Sequence, residues 1–258
     1  MMQPLIVGNW KMHGTQVEAV ALARRVRNGM RGLRGVEVVL APPFTALAGV
    51  RQTLRGSRLA LAGQDVHWEM EGAFTGEISP KMLRESGCAF VIVGHSERRR
   101  LFHESDENIA GKLIASLNAG LRPILCVGET LAERRRGITK RVISRQLRIA
   151  LKGSAKSAIE KTVVAYEPVW AIGTGQNATP DEISEVHFWI RQVVEQLFGK
   201  SRARGIRILY GGSVRPDNAE ILARAKEVNG LLVGGASLKA ADFLSIVRVF
   251  VEGERSSP

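Results

Sequence analysis

Thr162-Val163-Val164-Ala165 is a short β-branched apolar run, and Tyr166-Glu167-Pro168-Val169-Trp170-Ala171-Ile172-Gly173-Thr174-Gly175 follows it directly. The run has the length and composition of a strand buried on both faces. Downstream, Thr179-Pro180-Asp181-Glu182 has the form of a capping box with proline at the first helical position. Ile183, Val186, His187, Ile190, Val193, Val194 and Leu197 then recur at helical spacing, predicting a helix over 180–198. The segment therefore reads as one strand–loop–helix unit. Glu167 stands at the strand end, before a proline that fixes the backbone and an apolar loop that closes on glycines. That arrangement suggests a carboxylate base under a water-excluding lid running from Pro168 to Thr174. The alternative is an exposed glutamate in an ordinary connection.

The same unit repeats along the chain. Strands are expected at 5–8, 37–41, 59–62, 90–93, 122–127, 162–165, 207–210 and 231–233. The clearest helices are expected at 17–27, 107–119, 140–151, 180–198 and 240–249. Ser79-Pro80 and Arg215-Pro216 place a proline at two further helix starts. Doubly buried strands alternating with helices imply a parallel α/β sheet, and eight units in 258 residues fit a closed, single-domain (β/α)8 TIM barrel. An open doubly wound sheet is the competitor. The barrel is preferred because the chemically distinctive residues follow strand after strand, and only a barrel brings all those strand ends to one mouth. Residues 250–258 read as a flexible C-terminal tail.

Hydrophobic residues make up 45% of the chain and charged residues 24%, an ordinary globular composition. No apolar run reaches membrane-spanning length, so no membrane association is expected. The N-terminus has no basic region typical of a secretory signal, and Cys88 and Cys126 each sit among apolar residues. Both features fit reduced thiols in a cytoplasmic protein. The net charge of +12 is unusual. Nucleic-acid binding is one explanation, but Arg98-Arg99-Arg100 and Arg134-Arg135-Arg136 carry no interleaved aromatics, and aromatics are only 5% of the chain. A solvated arginine-rich face is the expected reading, and no nucleic-acid partner is expected.

Several strand ends carry candidate chemistry. Gly8-Asn9-Trp10-Lys11-Met12 follows the first strand and could aim an ammonium into the mouth. Val93-Gly94-His95-Ser96-Glu97 follows the fourth, where Ser96 could cap a helical turn. A helix N-terminus there would disfavour imidazolium and keep His95 neutral. Tyr210-Gly211-Gly212-Ser213-Val214 and Val233-Gly234-Gly235-Ala236-Ser237 follow the seventh and eighth strands. Paired glycines let backbone N–H groups approach an anion, and these two loops often form a phosphate site in barrels. Alone, each of these residues could equally belong to a surface turn or a packing position. Histidine and cysteine spacing offers no metal site, and there is no Walker motif or dinucleotide fingerprint. No cofactor and no metal are expected.

Taken in order, these blocks resemble the triosephosphate isomerases from Pro4 to about Val249. Ala41-Pro42-Pro43-Phe44, Gly72-Ala73-Phe74-Thr75-Gly76-Glu77-Ile78-Ser79 and Cys126-Val127-Gly128-Glu129-Thr130 extend the match. The resemblance implies a cofactor-free isomerase of glycolysis and gluconeogenesis that interconverts dihydroxyacetone phosphate and D-glyceraldehyde 3-phosphate through an enediolate. It assigns Glu167 as base, His95 as neutral electrophile, and Lys11 as electrostatic stabiliser with Asn9 beside it. Glu97 would support Lys11, and Cys126 would pack near the site. Gly173, Ser213, Gly234 and Gly235 would bind the phosphate, and the loop 168–174 would close over it. Phe74, Thr75, Gly76 and Glu77 would form the interface of a homodimer, with Thr75 approaching the partner's site. His13 and Asp65 depart from the commonest family pattern, which leaves the detail of the first and third loops open. Alternatives are a paralogue acting on a four-carbon ketose phosphate, and a catalytically silent basic binding protein.

Overall fold

Eight short strands pair side by side until the last meets the first. The computed structural model describes residues 2–156, 158–172 and 177–251. The strands are β1 (Leu5–Asn9), β2 (Glu37–Ala41), β3 (Ala60–Gly63), β4 (Phe90–Val93), β5 (Arg122–Val127), β6 (Val163–Tyr166), β7 (Arg207–Tyr210) and β8 (Gly230–Val233). All pairings are parallel, in chain order, and β1–β8 closes the barrel. The open-sheet alternative is thereby excluded. Parallel neighbours need crossover connections. These are supplied by α1 (Gln16–Gly29), α2 (Leu47–Leu54), α3 (Pro80–Glu85), α4 (Ser96–Leu101), α5 (Asp106–Asn118), α6 (Leu131–Arg135), α7 (Thr139–Ala150), α8 (Pro180–Phe198), α9 (Lys200–Gly205) and α10 (Ala219–Arg224), and α11 (Ala240–Arg248) follows β8.

Strand side chains alternate between two cores. Leu5, Val7, Val39, Ala62, Phe90, Ile92, Ile124, Val163, Ala165, Leu209 and Leu232 fill the barrel interior. Ile6, Val38, Leu40, Val91, Leu125, Val164 and Ile208 face outward into the helix layer. This double burial explains why the strands read as continuous apolar runs. It also has a functional consequence. The inward ladder Leu5–Val7 continues to Asn9, and Val163–Ala165 continues to Glu167, so strand alternation itself delivers these polar side chains to the mouth.

Strand and helix limits match the expected ones to within one or two residues, and the Thr179–Glu182 capping box is present. Three readings need correction. Arg215-Pro216 does not start a helix: the Asn218 side chain accepts from the Arg215 N–H, and α10 begins only at Ala219. The arginine clusters are solvated only in part. Arg100, Arg135 and Arg136 are exposed, whereas Arg98 pairs with Asp65 and Glu104, and Arg134 with Glu129 and Glu182. The core also runs past residue 249, since Phe250 is buried; residues 252–258 lie outside the described residues.

The unusual Asp65 is buried, accepting from Lys112 Nζ at 2.8 Å and pairing with Arg98 at 2.9 Å. His13 is exposed. Elsewhere, α8 buries His187 completely, edge-on to Tyr166, with Nδ1 3.1 Å from the Glu227 carbonyl. Burial, only partly opposed by that hydrogen bond, pushes the His187 pKa from 6.5 down to about 4. As pH falls below about 6.5 the unfolded chain takes up this proton and the folded chain does not. The stability in place above that pH is therefore lost progressively as pH falls toward 4, by on the order of 3 kcal/mol. His187→Asn, which keeps a donor for Glu227, should flatten the fall in urea midpoint between pH 6.5 and 4. An unaltered slope would remove His187 from the acid response.

Candidate active site

The C-terminal ends of the strands surround a cavity of about 550 Å³. Asn9, Lys11, His95, Glu97, Glu167, Val169, Ile172, Ser213, Gly234 and Gly235 all line it. Residues from β1, β4, β6, β7 and β8 are thus brought to one mouth. Pro168, Trp170 and Ala171 flank it without lining it, and Gly173 and Thr174 lie outside the described residues. Phe74, Thr75, Gly76 and Glu77 form a separate exposed turn between β3 and α3.

At the centre is a carboxylate–imidazole pair. Glu167 is 2% exposed. Its Oε2 accepts from the Ser96 N–H at 2.9 Å, and its Oε1 lies 3.1 Å from His95 Nε2. Ser96 was expected to cap α4, but His95 itself is the cap: its Nδ1 accepts from the Glu97 N–H at 3.2 Å. Ser96 is instead the first helical residue, and its free N–H is turned toward Glu167. A ring nitrogen that accepts a backbone N–H carries no proton, so the neutral ring bears its hydrogen on Nε2. That hydrogen points into the mouth. The helix start sets the tautomer and presents a backbone donor to the acid, both from a single turn.

Lys11 lies across the cavity in a left-handed backbone conformation, φ 51°. A non-glycine residue in this region costs on the order of 1–3 kcal/mol and must be held by its surroundings. Two side chains hold it. Asn9 Oδ1 accepts from the Lys11 N–H at 3.0 Å, and Gln64 Nε2 donates to the Lys11 carbonyl at 2.8 Å. The ammonium reaches Glu97 Oε1 at 2.7 Å. Burial works to raise the Glu97 pKa, but the Lys11 ammonium outweighs it and holds the carboxyl below its ordinary value. Glu97 is therefore an anion at neutral pH. Cys126 is fully buried on the inward face of β5. Burial first, and the nearby Glu167 charge second, push its thiol well above the usual range.

The loop after β6 is tied down at its near end by Glu129, which is fully buried. Its carbonyl accepts from the Val169 N–H at 3.1 Å, and its carboxylate accepts from Trp170 Nε1 at 2.9 Å and from the Tyr166 hydroxyl at 3.2 Å. Arg134 pairs with Glu129 and lies over the Trp170 ring at 4.6 Å. Gly128 permits this approach, because a Cβ there would stand 1.8 Å from the Glu167 carbonyl oxygen. Arg99 bridges the ends of β4 and β5, donating to the carbonyls of Gly94 at 2.8 Å and Cys126 at 3.1 Å.

Glu129, Gln64, Ser96 and Arg99 were not read from the sequence as site residues. Their contacts span long sequence separations and follow no local pattern. Glu129 offered one signal, an acid just past a strand end, as in the Glu167 unit.

A closed (β/α)8 barrel with a buried acid–imidazole pair, a lysine and two glycine loops at its C-terminal mouth defines a barrel enzyme equipped for proton transfer. Residues 4–250 match the family model described as triosephosphate isomerase. The triosephosphate isomerase of Carboxydothermus hydrogenoformans is 50% identical over 248 residues, covering 96% of this chain and 99% of that protein. That of Roseiflexus is 50% identical over 247 residues, covering 96% and 97%. The crystal structure of triosephosphate isomerase from Bartonella henselae superposes with a TM-score of 0.88 at 42% identity, covering 96% and 99%. This chain belongs to the triosephosphate isomerase family. It is an isomerase that interconverts dihydroxyacetone phosphate and D-glyceraldehyde 3-phosphate.

Proposed function

We propose that Glu167 carries the substrate proton between the two carbons of the triose and that His95, as neutral imidazole, polarises the carbonyl. The observation that carries this reading is the pair itself: a buried carboxylate 3.1 Å from an imidazole whose tautomer a backbone N–H sets. Glu167 removes the proton from the carbon next to the carbonyl, and an enediolate forms. The Nε2 hydrogen of His95 stabilises whichever oxygen carries the developing charge and passes protons between the two oxygens. Glu167 then returns its proton to the neighbouring carbon. Lys11, held by Asn9, Gln64 and Glu97, offsets the charge of enediolate and phosphate.

The phosphate is proposed to sit over Ser213, Gly234 and Gly235, whose loops line the same cavity, with Gly173 closing from the lid. The tie of Val169 and Trp170 to Glu129 gives that lid a firm near hinge. Water exclusion matters because an exposed enediolate can expel its phosphate. The buried, unpaired thiols of Cys88 and Cys126 favour a reducing compartment, the cytoplasm.

We infer further that the active unit is a homodimer. Among the described residues, Met12, Val17, Phe44, Trp68, Met70, Phe74, Met82, Leu101 and Phe102 are exposed large apolar side chains from the first four β/α units, against only Leu131, Phe188 and Ile221 from the other four. Apolar exposure concentrated in this way marks an interaction face, and a two-fold contact would bury the same patch on both chains. Thr75, at the tip of the turn that Phe74 anchors on His67, is the residue proposed to reach the partner's Asn9 and Lys11. Thr75→Arg is expected to leave the barrel folded, shift the sedimenting species to monomer and lower kcat about tenfold or more, as central interface truncations do to binding. Dimers with undiminished turnover would contradict both the interface and its link to the site.

A further inference from the structure

The inward ladder is charged at both ends of the barrel. At the N-terminal end, opposite the substrate mouth, Glu37, Arg122 and Arg207 open β2, β5 and β7. Glu37 accepts from Arg207 Nη1 at 2.5 Å through one oxygen and from Arg122 Nη1 at 2.9 Å through the other. One carboxylate thus serves two guanidiniums, leaving a positive charge in the floor. Arg207 is only 8% exposed, and its Nη2 has no hydrogen-bond partner among the described residues. Arg122 lies over the Phe90 ring at 4.3 Å. Burial, and then Arg207 acting against the pull of Glu37, hold the Arg122 pKa below its ordinary value. These are cations short of negative charge.

A cavity of about 830 Å³ opens onto this floor, and Arg27, Arg31, Arg34 and Arg58 add to its wall. Arg31, Arg34 and Arg58 are exposed and form no ion pair among the described residues. The only other acid in the lining is Glu160, which lies 3.9 Å from Arg202. A simpler account is that these arginines complement a helix C-terminus. That account fits Arg27, in the last turn of α1, and Arg31 just beyond it. It does not fit Arg207 and Arg122 on strands, nor Arg34 and Arg58 in the connections to β2 and β3.

We propose that this cavity binds a small polyanion carrying two or more linked phosphates. A guanidinium matches phosphate oxygens in bidentate fashion. A single phosphate could answer the floor, whereas floor and rim together call for a longer anion. Met30, Leu33 and Leu59 in the lining offer an apolar wall to an attached base. The source of the chemistry is either an inorganic polyphosphate or a nucleoside triphosphate.

The test is calorimetric titration of the full chain with tripolyphosphate and with a nucleoside triphosphate at low ionic strength. The expected result is one site per chain that persists in Lys11→Ala, weakens about tenfold or more in Arg34→Ala/Arg58→Ala, and fades with added salt. The rim variant should keep its isomerase kcat and KM, which shows that it is folded. Arg207→Gln should weaken binding further, and the rim variant decides the matter if that chain fails to fold. Tighter binding of the nucleotide would assign the apolar wall to the base, and equal affinity would assign recognition to the phosphates alone. Absence of binding, or binding abolished by Lys11→Ala and untouched by the rim variant, would overturn the proposal.

Discussion

His95→Asn is expected to lower kcat by about 10²–10³ while the protein stays as stable as the parent. The size is that of removing one preorganised donor from a developing oxyanion. Two functions meet at His95 and must be separated. Nδ1 caps α4 by accepting from the Glu97 N–H, and Nε2 faces Glu167. Asparagine is a strong N-cap, so its side-chain oxygen can take over the first function. It cannot reach the position of Nε2, so the second is lost. Coupled-assay turnover should therefore collapse while the thermal midpoint holds. A parallel loss of stability would mean that the ring acts chiefly as a cap.

Glu167→Asp is expected to lower kcat by about 10²–10³ with little change in KM. Loss of one methylene withdraws the carboxylate by about 1.5 Å, and misplacement on this scale costs roughly 10²-fold even when the reacting groups are unchanged. A positioned base contributes about 10²–10⁴ in all. KM should hold because the residues proposed to grip the phosphate, Ser213, Gly234 and Gly235, belong to other strands. The shorter acid also gives up its grip on the Ser96 N–H. That effect is local, because Glu167 sits in the cavity and its neighbours on β6 are anchored by the barrel.

The barrel was legible because each strand is buried on both faces, and burial writes itself as an uninterrupted apolar run; Phe90–Val93 and Arg122–Val127 were read to the residue. The mouth was legible where a distinctive residue stands within two positions of a strand end, as Glu167, His95 and Lys11 do. Three kinds of information were not legible. Competition between local partners is one: His95 displaced Ser96 as cap, and Asn218 delayed the helix expected at Pro216. Long-range support is another, since Gln64 reaches Lys11 and Glu129 reaches Trp170 only after the barrel closes. Charge placement is the third. A net charge of +12 says nothing of position. Only strand register brings Arg122 and Arg207 to one glutamate, and only packing turns Arg98 from a surface charge into a partner of Asp65.

The central claim is that Glu167, presented at the end of β6 and paired with a neutral His95, is the group that moves the substrate proton. Saturation kinetics of Glu167→Asp against the parent chain on D-glyceraldehyde 3-phosphate test it most directly. The account predicts a kcat lower by about 10²–10³ with KM essentially unmoved. A variant that turns over at the parental rate would contradict it.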